Sequence, residues 1–508
     1  MANKIDSNIT GLRFAEESSL KTLPGSPVWY ALEPNSYSDF GGQISTVARN
    51  PINPTRQRKK GVTTDLDASG GFNQDLTFDN LTRLLQGFFF ADIREKKTTI
   101  PMNSAAITIT SVVTADDSYN AASGLSGFLA GDLVYASGFT NSANNGLKVV
   151  AAASSAATVT VTANLVVETP PAAAYLRRVG YQFGSASVDI TLNGNYVRLN
   201  RASGTVDYTT LGLIAGEWVF LGGDSATLQF ANNQGWARVN AVAATYIEFD
   251  KTSWTGAGEV GTGKTIQMFL GSVLKNESDT ALIKRRTYNI ERTLGQDSNG
   301  TMSEYLVGAV PNELTINIAQ ADKVTVDMTF VALDNEQRTG LTGVKSGTRP
   351  TLTPGSAFNT STDMARMKLS LVSANDSSVD PLFAFATEAS LTINNNVSPN
   401  KAIGVLGAFD TTAGTFEVGG SMTAYFADVT AVQAVRNNSD VTLDMVMLKR
   451  GYALLWDIPL LSLGDGRLAV EQDQAITLPL EKMAAESKFN HTLLFQSFYY
   501  LPDLAGGV

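Results

Sequence analysis

Cysteine is absent from the 508 residues, and histidine occurs once, as His491. The first absence excludes disulfide scaffolds, thiol nucleophiles and Cys-ligated zinc or iron–sulfur centres. The second excludes HExxH and other His-rich metal sites and leaves room for at most one Ser-His-Asp triad. Charge is sparse: 17% of residues are charged, against a usual ~25%. The net charge of −10 argues against gripping nucleic acid by phosphate neutralisation, which needs a basic face, although DNA can slide past an acidic surface. Long apolar runs are missing as well. Residues 1–6 lead into polar sequence with no signal-peptide core. Residues 149–167 are uncharged but broken by Ser, Thr and Asn, and they contain the alternating pattern Thr158, Val159, Thr160, Val161, Thr162 of a strand. The expectation is a protein with no membrane span.

What is present is a 43% hydrophobic chain with 44 glycines, the balance of an all-β globular protein. Its length suits about three domains at ~150 residues each. Two internal echoes organise it. In the first, GDLVYASG at residues 131–138 leads to Asn144, Asn145 and Gly146, then to an alternating run. The same grammar returns as GEWVFLGG at 216–223, NNQGWARV at 232–239 and TYIEF at 245–249. Asn-Gly and similar turns supply the positive φ of tight hairpins, and the flanks alternate with period two, so the pattern predicts two tandem β modules.

In the second echo, residues 54–62 precede GGFNQDLTF at 70–78. Asp79 follows as a candidate N-cap for a helix with Leu81, Leu84, Leu85 and Phe88 on one face. Later, residues 399–405 precede FEVGGSMTAYF at 416–426, and Asp428 is placed to cap a helix with Val429, Val432 and Val435. The stretches 325–334 and 492–503 read as matching ends. The expected fold is mainly β: a duplicated β-sandwich or barrel with a short flanking helix per copy, plus two small inserted all-β modules. The first copy takes residues 1–103 and 273–345, the inserted modules 104–185 and 186–272, and the second copy 346–508. The Thr-, Gly- and Pro-rich residues 338–357 read as the linker.

The sharpest catalytic lure is Gly258, Gly263, Lys264 and Thr265, a literal GxxxxGK[ST] match, with a Walker-B-like run at 330–334. A phosphate loop needs an apolar strand running into its first glycine and a helix starting at Lys-Thr. Here a polar loop precedes it, and the short run 266–271 stops at glycine. A glycine-rich hairpin is the better reading. His491 stands at a strand entrance with no strained nucleophile serine. Asp65, Asp67 and Asp465 read as turn formers. No catalytic, cofactor-binding or metal residue is assigned, no cofactor is expected, and the chain reads as not an enzyme. Arg49, Arg56, Arg58, Lys59 and Lys60, stiffened by Pro51 and Pro54, read as a solvated loop, as an arm that docks on the acidic surface of an identical neighbour, or as a nucleic-acid-binding arm. Phe88, Phe89 and Phe90 read as core.

A glycine-rich strand, an Asp-capped amphipathic helix, a basic arm ahead of them, and the run Pro311 to Asn317 after Glu304 to Gly308 together form a pattern. It resembles the major tail tube proteins of long, non-contractile-tailed bacteriophages over residues 20–100 and 285–508. The resemblance implies a virion protein of the viral tail, assembled in the host cytoplasm, whose sheets join those of neighbours into rings that stack into a conduit for genome ejection. Residues 49–61 would be the arm bridging rings, and the inserted modules would decorate the outside. Its partners would be copies of itself, tail tip and tail terminator proteins, and DNA passing through without specific binding. Two units per chain imply trimeric, pseudo-hexameric rings, with a hexamer as the alternative. On this reading, deleting 104–272 leaves tube formation intact. The competing readings are an adhesin or decoration protein of tandem β modules and a P-loop nucleotide-binding protein.

Overall fold

The computed structural model describes residues 7–506 apart from 53, 186, 203–205, 255, 298–299, 353, 373–381 and 384. Residues 1–6, read above for an export signal, and Thr255, ahead of the GxxxxGK[ST] match, lie outside the described residues. The chain opens with β1 (Gly11–Glu16), β2 (Tyr30–Leu32), β3 (Pro34–Arg49), β4 (Lys59–Asp75) and helix α1 (Thr82–Phe89). A first group of short strands follows: β5 (Ile109–Val113), β6 (Ser118–Ala121), β7 (Asp132–Ser137), β8 (Gly146–Val149), β9 (Thr158–Thr160) and β10 (Tyr175–Gln182). A second group is β11 (Val188–Asn193), β12 (Tyr196–Arg201), β13 (Trp218–Leu221), β14 (Gly235–Ala243), β15 (Tyr246–Thr252), β16 (Glu259–Val260) and β17 (Gln267–Leu270). The chain returns through β18 (Ser272–Lys275), β19 (Tyr288–Asp297), β20 (Gly300–Ala319), β21 (Thr325–Ala332) and β22 (Asp334–Arg338). It ends in β23 (Met364–Leu371), β24 (Ala386–Asn394), β25 (Ser398–Lys401), β26 (Ala408–Thr412), β27 (Glu417–Tyr425), α2 (Thr430–Arg436), β28 (Val441–Lys449), β29 (Tyr452–Asp465), β30 (Thr477–Ala484) and β31 (Leu494–Phe498).

The protein is mainly β and contains one strand plan twice. In the first unit the hydrogen-bonded order is β1, β19, β20, β21, β4, β3, with β22 also on β20. In the second it is β23, β28, β29, β30, β27, β24, with β31 also on β29. Each unit has its helix between the equivalent strands, α1 after β4 and α2 after β27. The units join where β24 pairs with β20 in unbroken register from Glu313 opposite Asn394 to Ala319 opposite Glu388, making one 16-stranded sheet. Period-two alternation drives this: Leu314, Ile316 and Ile318 are buried in a core shared by both units, while Glu313, Thr315 and Asn317 face the other way.

Three local expectations are corrected. Asp79 does not cap α1, which starts at Thr82 with Leu81 in the cap position and no side-chain cap bond. Asp428 accepts the Thr430 amide at 2.7 Å, but Val429 is exposed and the helix buries Ala431 and Ala434. The stretch 325–334 is largely β21, whose equivalent in the strand plan is β30; the stretch 492–503 contains β31, the equivalent of β22. Both stretches are apolar strands with similar composition, so composition alone could not tell neighbouring strands apart.

The insertion also repeats a plan. β5, β6 and β9 pair in that order, a bridge between Val150 and Val161 leads to β8, and β8, β7 and β10 follow. The second module runs β11, β12, β15, β14, β13, β17. Gly131 and Gly216 begin equivalent strands at φ +88° and +91°, conformations that a side chain would strain. Glu168 accepts the Thr140 and Asn141 amides and the Asn144 side chain, and Glu259 accepts the Ala231 and Asn232 amides and the Asn233 side chain. The modules are not free beads: β10 pairs with both β7 and β17, joining β7, β8 and β10 of the first to the second in one ten-stranded sheet. The insertion leaves and rejoins the first unit where Arg94 and Val273 bridge.

The insertion packs against the second unit. Trp218, Phe220, Trp236 and Phe269 bury against Val446, Leu455 and Phe498. Arg238, 1% exposed, donates to Asp250 at 3.0 Å within the insertion and to Thr442 and Asp457 of the second unit at 3.1 and 3.2 Å. The Gln496 amide closes two hydrogen bonds with the Trp218 backbone at 2.8 and 2.9 Å.

Candidate assembly interface

Backbone hydrogen bonding in a sheet is a complete account, and every open edge needs a partner or a guard. The two units differ in that account at one place. β20 has four partner strands, β19, β21, β22 and β24; its equivalent β29 has three, β28, β30 and β31. β24 lies between β20 and β27, whereas its equivalent β3 pairs with β4 alone. Among the described residues, the β24·β20 contact therefore has one unmatched counterpart: the outer edge of β3 and the distal edge of β29. Both edges are exposed, as are the apolar side chains beside them, Ile44, Val47, Leu468 and Val470.

Directly opposed residues in neighbouring strands share a face, so the register defines the side of the sheet away from the core. One row runs Asp75, Thr325, Asn317, Ser390; another runs Asn73, Asp327, Thr315, Thr392, Gly419. Glu313, Glu388, Glu417 and Glu481 lie on the same face. Short side chains bond along it: Asn73 and Asn317 donate to Asp327 at 2.8 and 2.6 Å, and Thr423 donates to Glu388 at 2.9 Å. No Lys or Arg occupies these positions. Lys323 reaches Asp75 at 2.7 Å from the β20–β21 turn, and the buried Lys482 donates to the Ser390 carbonyl at 2.7 Å. The result is an acidic, polar wall across seven strands, from β3 through β30, with no basic side chain in these rows; the exposed Arg49, Lys59 and Lys60 stand at the far end of β3 and β4.

The basic run stands at the tip of the β3–β4 hairpin. Arg49, Arg56, Arg58, Lys59 and Lys60 are exposed, and none has a carboxylate partner among the described residues. In the second unit the equivalent loop is the β25–β26 hairpin, and it folds back: Lys401 binds both Asp65 and Asp67 on β4. Lys401 holds the Asp65 carboxyl below its usual range. Asp65 and Asp67, expected in turns, stand within β4 and form an ion-pair seat between units, and Asp465, at φ +61°, is the last residue of β29, paired with Leu480.

The phosphate-loop match resolves into an edge strand and a turn. Residues 259–260 form β16, Gly263 turns at φ +79°, and Lys264 lies 3.7 Å from Glu259. Because Glu259 already binds the two backbone amides, the loop is fastened to its own module, and no helix begins at Lys264. His491 is buried, with its ring nitrogen 3.3 Å from the Phe489 carbonyl oxygen. Burial pushes it down to about 3, so it stays neutral. Phe88 and Phe89 are core residues, and Phe90 adopts φ +50° at the end of α1. Among the described residues no group of three acidic or histidine side chains could hold a metal ion, and no helix is long and apolar enough to cross a membrane.

Sequence reading missed the open edges themselves and the buried cations, Arg238 and Lys482 among them. The edges left a trace as a duplicated strand pattern, but pairing partners are invisible in a linear pattern. A family model described as phage tail tube protein matches the chain twice, over residues 7–247 and 204–484. No curated protein matches it.

Proposed function

The chain belongs to the phage tail tube protein family and is a structural component of the virion tail, and from that premise we propose how it assembles. Copies join edge to edge: β3 of one chain fills the vacancy beside β29 of the next, as β24 fills it beside β20 within each chain. The single observation that carries this is the unmatched pair of edges in two otherwise equivalent units. A heterologous contact of this kind generates a ring when its rotation closes. With two units per chain, three chains make a six-unit ring, and a hexamer of chains is the alternative. The division into a first unit of residues 1–103 and 273–345, modules of 104–185 and 186–272, and a second unit of 346–508 belongs to the same proposal.

The acidic wall faces the lumen of this ring. Carboxylates there repel phosphates, so DNA passes without sticking, which suits a conduit and needs no catalytic group. The basic tip of the β3–β4 hairpin reaches the acidic surface of the next ring in the stack. Tail tip and terminator proteins meet the ends, and assembly takes place in the host cytoplasm.

Negative-stain electron microscopy of concentrated purified chain tests the proposal. Stacked rings or tubes with a pore as wide as duplex DNA are expected. Discrete particles at every concentration overturn it and favour an adhesin or decoration role.

A further inference from the structure

The two open edges carry matching irregularities that their paired counterparts lack. In the first unit, β21 from Met328 to Thr325 faces β20 from Leu314 to Asn317, three steps against three. In the second, Leu480 faces Asp465 and Thr477 faces Ala469, so three steps of one strand meet four of the other. The extra residue falls just past the end of β29, with Asp465 at φ +61° and Gly466 at φ +79°, and steps the chain as a β-bulge does. On the other open edge, Ser38 faces Gly71 and Gly41 faces Ser69, so three steps of β3 meet two of β4. Here too an aspartate, Asp39, sits at φ +44°. Within the chain, β24 and β20 pair through this stretch with no shift.

The strand plan fixes the level of each bulge. Met328 and Leu480 are equivalent, each paired with a buried β4 or β27 residue, Phe72 or Met422. Tracing outwards from them, Ser38 takes the place of Ser390 and Gly42 that of Ile393. On the other side, Ala469 takes the place of Asn317 and Asp465 that of Leu314. In the intramolecular seam Ser390 faces Asn317 and Ile393 faces Leu314. Carried over to two chains, Ser38 of one faces Ala469 of the other, and Gly42 faces Asp465, with four steps on each strand between them. The two bulges fall opposite one another and cancel.

We infer that β3 and the distal edge of β29 from a second copy pair in one register only, keyed by these facing bulges at Asp39 and at Asp465 and Gly466. The inference rests on the tube reading and names the surface through which it works. Any other register sets a bulge against regular strand, and a one-residue slip turns every later side chain to the wrong face. The same bulges guard the lone edges, because a kinked border is a poor template for a straight strand.

The absence of cysteine supplies the test. Chains with Ser38→Cys and Ala469→Cys should oxidise into a ladder of cross-linked copies on assembly, whereas Ser38→Cys with Val470→Cys, one step out, should not. Removing Asp39 alone, or Gly466 alone, should abolish tubes in a chain that still unfolds cooperatively, and removing both should restore them. Tubes from either single deletion, or cross-linking as strong at Val470 as at Ala469, overturn the register key. If deletion variants do not fold, the cysteine pairs decide alone. A wild-type chain that forms no tubes fails the tube reading instead.

Discussion

The two units share one strand plan yet cover its outer face by different means. In the first, a short strap does it: Trp29 is fully buried, its indole donates to the Ser346 carbonyl at 3.0 Å, and its ring lies 5.8 Å from Tyr305. Arg349 from the same strap bonds Glu291 of β19 at 2.6 Å. In the second, the whole insertion does it, and Arg238 meets Asp457 of β29. Each cover brings aromatic area and one arginine to a carboxylate buried in the sheet. The requirement is physical: an apolar sheet face holding an acid must be shielded and neutralised, but the length of the shield is free. The insertion therefore shares a buried cluster with the second unit, and the expectation that its removal leaves assembly intact meets its test there.

The comparison breaks most severely if residues 104–272 are deleted. Val446, Leu455, Phe498, Asp444 and Asp457 lose their cover together, and the chain should move from the soluble fraction into aggregates on expression. Soluble tubes from that deletion would return the insertion to the role of ornament.

Next in size is the arginine pair. Arg238→Met takes the guanidinium from the buried Asp457, while Asp250 keeps Lys488 at 2.9 Å, and should cost about 3–5 kcal/mol in urea unfolding, the range for a broken buried ion pair. Arg349→Met should cost about 1–2 kcal/mol, because Glu291 keeps the Tyr305 hydroxyl at 2.6 Å and Arg13 at 3.9 Å. Equal losses would show that the covers are energetically alike despite their sizes.

The remaining test sharpens the comparison inside the core. Phe330 opposite Gly70 corresponds to Lys482 opposite Gly420. Phe330 packs in the core, whereas the Lys482 amine is buried with one bond, to the Ser390 carbonyl at 2.7 Å. Burial pushes Lys482 down to about 7. Its ordinary value is about 10.4, so the unfolded chain binds the proton more tightly. The cost is full below pH 7 and fades as pH rises towards 10. Lys482→Met should stabilise the chain by about 1–3 kcal/mol at pH 7. Melting temperatures at pH 6, 8 and 9.5 should rise with pH in the wild type relative to the variant; parallel curves would refute the buried-amine account.

Much of this was legible in linear order. The glycine pairs at 70–71 and 419–420 sit on equivalent strands, and the GDLVYASG and GEWVFLGG echoes mark modules with one strand order. The misreadings share a cause. Asp79 has the right chemistry for a cap but lies three positions before the helix. Strand 494–498 looks like 325–332, yet it adds to a different neighbour. The basic hairpin was visible as charge, but that its five cations meet no carboxylate among the described residues was not.

Alternation of apolar and polar residues, turn glycines and a repeated grammar are local properties, so the sequence alone determined a duplicated β protein with an inserted pair of modules. Tertiary structure decided which strand borders stay unfilled, that the insertion is a fitted cover, and that two bulges share a level. Those depend on hydrogen bonds and buried charges between residues hundreds of positions apart, such as Trp218 with Gln496. No local pattern encodes such pairings.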